Sequence, residues 1–204
     1  MTERIDTVIF DLGNVLIAWD PHRLYRRLIP DDAEREWFLA EVCNAEWNER
    51  QDAGRSWAEG IAELCARHPR HAALIQAYRE HWTETLDGAI EDSVALLAEL
   101  KARGVRLLAL TNWSQETFPL ARERFAFLGW FEGIVVSGEE GLVKPDPRLY
   151  RVLLERYGVQ PARALFVDDA PRNVAGAEAV GLHARLFQGA AQFRRQLVAL
   201  GLLD

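Results

Sequence analysis

The sequence predicts an α/β protein, a doubly wound parallel sheet carrying a helical insertion near its start. Short β-branched and aliphatic runs at 8–10, 105–110, 133–137, 164–167 and 182–187 are continuous enough to be buried on both faces. From residue 89 onward these runs alternate with helical patterns, the grammar of strands joined by crossover helices. Between about 21 and 86, by contrast, the periodicity is helical and no strand-like run appears.

The elements follow in order. Residues 8–10 drive a buried strand into Asp11-Leu12-Gly13, after which 15–17 read as the exit from a turn. Four apolar stripes come next: Leu24, Tyr25, Leu28 and Ile29; Trp37, Phe38 and Val42; Trp57, Ile61 and Leu64; Leu74, Ile75, Tyr78 and Trp82. They predict a four-helix bundle, broken at Pro30-Asp31-Asp32 and His68-Pro69-Arg70, with Ser56 as a helix N-cap. The polar stretch 44–55 reads either as a substrate-facing loop around Trp47, Asn48 and Arg50 or as a solvated connection. Helices over 90–103, 116–125, 148–157 and 190–200 then interleave with the later strands, and Pro171 opens one more helix in its first turn. The domain division expected is 1–16 plus 88–204 for the sheet layer and 17–87 for the insertion.

Composition excludes several roles. The chain has 204 residues, 49% of them hydrophobic, which is enough for a substantial core. No apolar run approaches the ~18 residues of a membrane span, and the first residues lack the form of a signal peptide, so a cytoplasmic protein is expected. A net charge of -7 argues against nucleic acid. Cys43 and Cys65 lie in helical patterns without metal-ligand spacing and read as buried free thiols. Lys101 and Lys144 are the only lysines among 24 basic residues, which singles out Lys144, in a proline-flanked loop, as a point charge.

Parallel strands end on one edge of their sheet, so Asp11, Thr111 with Asn112, and Asp168 with Asp169 converge there, joined by Lys144. Alone, Asp11 reads equally well as a turn cap. In company it gains a chemical role: paired acids hold a hard divalent cation, and lysine, a hydroxyl and amides bind phosphoryl oxygens.

Asp11-Leu12-Gly13-Asn14-Val15, Thr111-Asn112, Lys144-Pro145 and Asp168-Asp169 with Asn173 together resemble, in order and strand context, the four signatures of the haloacid dehalogenase superfamily. The resemblance covers the whole sheet layer and makes the insertion similar to the small helical cap, of the C1 type, of sugar phosphatases in that family. It implies a magnesium-dependent phosphomonoesterase acting on a small phosphate ester, of a sugar above all, as a monomer or homodimer. Asp11 would be the nucleophile that forms an aspartyl-phosphate, Thr111 and Asn112 would bind the phosphoryl group, and Lys144 would steady both. Asp11, the carbonyl of Gly13 and Asp169 would ligate the metal, with Asp168 or Asn173 in support.

Gly13 departs from the pattern. Most phosphatases of the family carry a second aspartate there, the general acid and base, and its loss costs typically 10²–10⁴-fold. Asp20, at the start of the insertion, is one substitute acid; it reads equally as an N-cap for the helix that follows. Two further readings stand beside the phosphatase: a hydrolytic 2-haloacid dehalogenase, which needs no metal and does not usually keep the paired acids, and a catalytically weak binding homologue. Seven tryptophans, five of them at or before Trp82, are core residues or a wall for a sugar ring.

Overall fold

The structure is a computed structural model that describes residues 4–204. Among these, five parallel strands form one sheet: β1 (Thr7–Phe10), β4 (Arg106–Thr111), β5 (Gly133–Val136), β6 (Ala164–Asp168) and β7 (His183–Leu186). Their order across the sheet is β5-β4-β1-β6-β7. The chain leaves β1 toward one side to build β4 and β5, then returns past it to build β6 and β7. β1 is therefore the switch point of the sheet, where open α/β folds bind their ligands.

Register explains why the strands read as continuous apolar runs. Val8 lies beside Leu107 and Leu165, and Ile9 beside Leu108 and Phe166. Val8, Leu107 and Leu165 belong to one core cluster, whereas Ile9, Leu108 and Phe166 belong to a second. Alternate residues thus feed opposite faces, and helices cover both. On one face lie α6 (Glu91–Ala102) and α11 (Ala190–Ala199), through Leu97 and Phe193; on the other lie α9 (Pro147–Arg156) and α10 (Pro171–Ala179), through Leu149 and Ala177. Two shorter helices, α7 (Phe118–Arg124) and α8 (Ser137–Glu140), follow β4 and β5.

The insertion holds five α-helices rather than the four expected: α1 (His22–Leu28), α2 (Asp32–Trp37), α3 (Ala45–Asp52), α4 (Trp57–Arg67) and α5 (Ala72–Glu80). α2 runs on into a π-helical turn over Phe38–Val42. Ser56 does cap α4, in a reciprocal capping box with Glu59. The addition is α3, which lies in the stretch read as a loop. Asn44 caps it by accepting the Trp47 N–H at 2.8 Å. Of its eight residues only Trp47 and Gln51, one turn apart, are buried, so its apolar stripe was too thin to register as a period.

A second difference lies where the insertion joins the sheet layer. β2 (Ile17–Trp19) and β3 (Leu86–Ala89) pair antiparallel, with a register shift between Ala18 and Trp19. Leu86-Asp87-Gly88-Ala89 has neither β-branching nor alternation, and only its cross-strand partner makes it a strand. Cys43 is buried and Cys65 half-buried, both as free thiols.

Candidate active site

β1 delivers Asp11 one residue beyond its end, where the Asp11 N–H still donates to Val167 of β6 at 2.9 Å. The chain then reverses: the N–H groups of Leu16 and Ile17 both reach back to the Leu12 carbonyl at 2.9 Å. Asn14 completes the turn at φ 53°, a left-handed backbone that asparagine tolerates, and its Oδ1 accepts the Trp19 N–H at 3.0 Å. β4 ends on Thr111, and β6 ends on Asp168.

Lys144 ties these ends together. Its Nζ lies 2.9 Å from Asp11 Oδ1 and 2.6 Å from Asp168 Oδ2, and the side chain is only 1% exposed. A cation so deeply buried is stable only with matched partners, and two carboxylates supply them. Burial alone would push its pKa down, but Asp11 and Asp168 outweigh that and hold it above the ordinary lysine value. Desolvation raises Asp11 above the usual carboxylate range, against the pull of Lys144 and with a push from Asp168.

Asp168 is fully buried and saturated. Besides Lys144, it accepts from the Ala170 N–H at 2.8 Å and from Asn173 Nδ2 at 3.0 Å. Its role in the geometry is to fix the lysine and the start of α10. The neighbouring Asp169 is exposed, and burial of part of its surroundings, with Asp168 beside it, raises its pKa. One carboxylate oxygen each from Asp11, Asp168 and Asp169 lie within 4.8 Å of one another. An all-oxygen cluster of this kind suits a hard divalent cation. Two buried polar atoms beside it, Thr111 Oγ1 and Asn173 Oδ1, have no hydrogen-bond partner among the described residues. Orphaned groups at the edge of an acid cluster fit a site made to receive an oxyanion and its cation.

Asn112 is used differently from the expectation. Its side-chain amide spends both ends on the main chain of Lys144, accepting the N–H at 2.8 Å and donating to the carbonyl at 3.1 Å.

A cleft of about 100 Å3 opens at Gly13, two residues past Asp11, and is lined by Gly13, Trp19, Asn48, Asp52, Trp82 and Trp113, with Asn112 and Thr117. Of the three residues named in the substrate-facing reading of 44–55, only Asn48 lines it. Trp47 is interior, donating from Nε1 to the Gly60 carbonyl at 3.1 Å and packed on Trp57 and Tyr78. Arg50 is exposed and paired with Glu46 and Glu63. Asp20 does not line the cleft either: it accepts the His22 N–H at 2.9 Å and meets the His22 ring and Arg26, one residue before Pro21, the N-cap of α1. The contacts with His22 hold its pKa below the ordinary value despite partial burial.

Asp52 is the residue that sequence reasoning missed. It ends α3, lines the cleft, and its pKa is pushed up to about 7, chiefly by desolvation and secondarily by Glu49, with the Ser114 amide and Lys144 opposing. The signal was available only as an acid one residue past the buried Gln51, inside a segment whose helical nature was hidden.

A sequence model of haloacid dehalogenase-like hydrolases matches residues 5–181. The chain belongs to that family. It is 30% identical over 183 residues to a sesquiterpene phosphatase of Aspergillus oryzae, covering 89% of each chain. A phosphatase of Mycobacterium tuberculosis is 33% identical over 214 residues, covering 97% of this chain and 95% of its own. The fold is shared with a family enzyme of Bacteroides thetaiotaomicron solved as a magnesium complex, at a TM-score of 0.72 and 20% identity, covering 94% of this chain and 100% of that one. As a family member it is a hydrolase whose relatives are named phosphatases, and no helix among the described residues is long and apolar enough to cross a membrane.

Proposed function

We propose that this hydrolase is a magnesium-dependent phosphomonoesterase that works through an aspartyl-phosphate on Asp11. The observation that carries the reading is Lys144, buried between Asp11 and Asp168 at the rim of a three-carboxylate cluster. Asp11 and Asp169, with the Gly13 carbonyl and with Asp168 or Asn173 in support, would hold the magnesium ion. When bound, magnesium supplies positive charge that lets an anionic ester approach an anionic nucleophile.

The chain's own residues supply the rest. An Asp11 oxygen attacks phosphorus while Lys144, at hydrogen-bond distance from that carboxylate, offsets charge on the nucleophile and on a phosphoryl oxygen. The unpartnered Thr111 hydroxyl donates to a second phosphoryl oxygen. Asn112 acts one step removed, pinning the backbone that presents Lys144. Water then hydrolyses the phosphorylated Asp11.

The substrate is a small phosphate ester with an apolar face. Trp19, Trp82 and Trp113 give the cleft an aromatic wall, with Trp82 and Trp113 ring centroids 5.5 Å apart, and Asn48 supplies a polar contact. Such a wall suits the C–H face of a sugar ring or a short hydrocarbon. A metal-free displacement of halide has no use for three converging carboxylates, and a pure binder has none for a buried lysine aimed at Asp11. A panel of sugar, terpenyl and nucleotide monophosphates, assayed with and without magnesium, tests the proposal. Magnesium-dependent phosphate release is expected; release of chloride from 2-chloropropionate in the presence of EDTA, with no phosphate release, would overturn it.

A further inference from the structure

We propose that the Asp52 carboxylate, brought to the cleft by α3, is the general acid and base of the reaction, standing in for the carboxylate missing at Gly13. The inference rests on the phosphatase reading above and deepens it.

Of the residues lining the cleft, Asp52 is the one acid, and Gly13 faces the same space. It is also anchored from both sides. Its Oδ2 accepts from Asn48 Nδ2 at 3.1 Å, one turn back on α3, and its main-chain carbonyl accepts from Ser137 Oγ of the sheet layer at 2.6 Å. Both layers therefore fix its position, as a group that must meet a substrate atom requires. Asp20, in contrast, is committed to His22 and Arg26 outside the cleft.

The charged surroundings suit proton exchange. Glu49, on the same helix, is paired with Arg172 of α10 at 2.7 Å, Lys144 lies on the sheet side, and Tyr78 is the neighbouring phenol, itself held neutral by burial. Desolvation leaves the Asp52 pKa at about 7, where a carboxyl both gives and takes a proton near neutrality.

Gly13 supplies the complementary observation. A Cβ built there meets nothing within 4 Å, and its backbone is not among those at positive φ. Neither sterics nor backbone demands glycine at this position. The space it leaves belongs to the cleft that Asp52 also lines.

In the first half-reaction, the Asp11–phosphorus bond forms as the bond from phosphorus to the leaving oxygen breaks, and the Asp52 proton moves to that oxygen to give the free alcohol. In the second, the Asp52 carboxylate takes a proton from water as the water oxygen attacks phosphorus. The Asp11–phosphorus bond then breaks, phosphate departs, and Asp52 is protonated again. The sum is ester plus water to alcohol plus phosphate.

The test compares wild type, Asp52→Asn, Asp52→Glu and the double variant Gly13→Asp/Asp52→Asn, each checked for folding by circular dichroism. The probes are glycerol 2-phosphate, whose alkoxide needs a proton, and p-nitrophenyl phosphate, whose phenolate leaves without one. Asp52→Asn should lower kcat on glycerol 2-phosphate by roughly 10²–10⁴-fold. On p-nitrophenyl phosphate it should keep a first-turnover burst of nitrophenolate while steady turnover falls. Gly13→Asp should return at least about tenfold of the glycerol phosphate activity to the Asp52→Asn background, because it restores the acid from the other wall. An active wild type with an unimpaired Asp52→Asn overturns the proposal, as do equal losses of burst and turnover on both probes without rescue. A wild type inactive on every ester with magnesium present fails the phosphatase reading instead.

Discussion

Asn112 holds Lys144 by its main chain, with Oδ1 2.8 Å from the lysine N–H and Nδ2 3.1 Å from its carbonyl. The side chain of one motif position thereby sets where the buried cation of another begins. Asn112→Ala should lower kcat by about 10–10²-fold through misplacement of Lys144 Nζ, with little change in the melting temperature. Steady-state kinetics beside a thermal melt separate this from general damage; an unchanged kcat would show that the loop holds its shape unaided.

Asp11→Asn should abolish turnover of p-nitrophenyl phosphate and any acid-stable trace of phosphorylated protein after quenching. Retention of the wild-type rate by the purified variant would remove Asp11 as nucleophile. Lys144 loses one carboxylate in that variant, so its remaining partner is Asp168.

Removal of metal by EDTA should stop phosphate release, and magnesium should restore it. Binding to the folded state alone also stabilises it, by ~2.7 kcal/mol at a hundredfold excess over Kd. Magnesium should therefore raise the melting temperature of wild type, and Asp169→Asn should blunt that rise. Equal magnesium shifts in the two proteins would place the ion elsewhere.

Asp52 makes stability depend on pH in a defined direction. Its pKa is about 7 in the folded protein, raised by desolvation, against an ordinary value of ~3.9 in the unfolded chain. Between the two, the folded state binds a proton that the unfolded state does not, so stability falls as pH rises through this window. Below it, both forms are protonated and the cost is absent. Asp52→Asn removes the cost, and its melting temperature relative to wild type should rise by roughly 2–4 °C or more between about pH 4.5 and about pH 8, on the order of 1 kcal/mol. An identical difference at both pH values would show Asp52 to be solvated.

The seam between insertion and sheet layer has its own test. Gly54 sits at φ 96°, and a Cβ there would come within 3.1 Å of the Gly138 carbonyl oxygen and 3.6 Å of Gly141 Cα. Gly54→Ala should cost about 1–2 kcal/mol from the backbone alone, lowering the melting temperature by roughly 2–8 °C. A melt of the purified variant decides it, and no loss would mean that the seam yields.

The sheet and its site edge were legible because buried parallel strands spell themselves out in single runs. Val105 to Leu110 needs no partner to be recognised, and Asp11, Thr111 and Asp168 follow once the strands are parallel. What stayed hidden depends on partners far away in sequence. Leu86-Asp87-Gly88-Ala89 is a strand because Ile17-Ala18-Trp19 lies beside it. Asp52 looked like one more charge in a polar stretch, and only docking of α3 against Ser137 turns it toward the cleft. Trp47 and Arg50 show the same limit in reverse: the polar stretch read equally as a substrate-facing loop or a solvated connection, and docking puts one in the interior and pairs the other with its own layer's acids.

The β2–β3 ribbon has a mechanical consequence. The chain crosses between helices and sheet twice, and both crossings are bound to each other, with Asp20 N–H on the Thr85 carbonyl at one end and Ile90 N–H on the Leu16 carbonyl at the other. Two strands so joined fix the entry to the helical layer and the exit from it to each other, so neither crossing is placed independently. Gly88, at φ 118° opposite Ala18, holds a backbone conformation that glycine adopts without strain. Because Asn48 and Asp52 share α3 and line the same cleft, their distance from Asp11 is set together, by how this one ribbon and the Ser137 contact seat the helical layer.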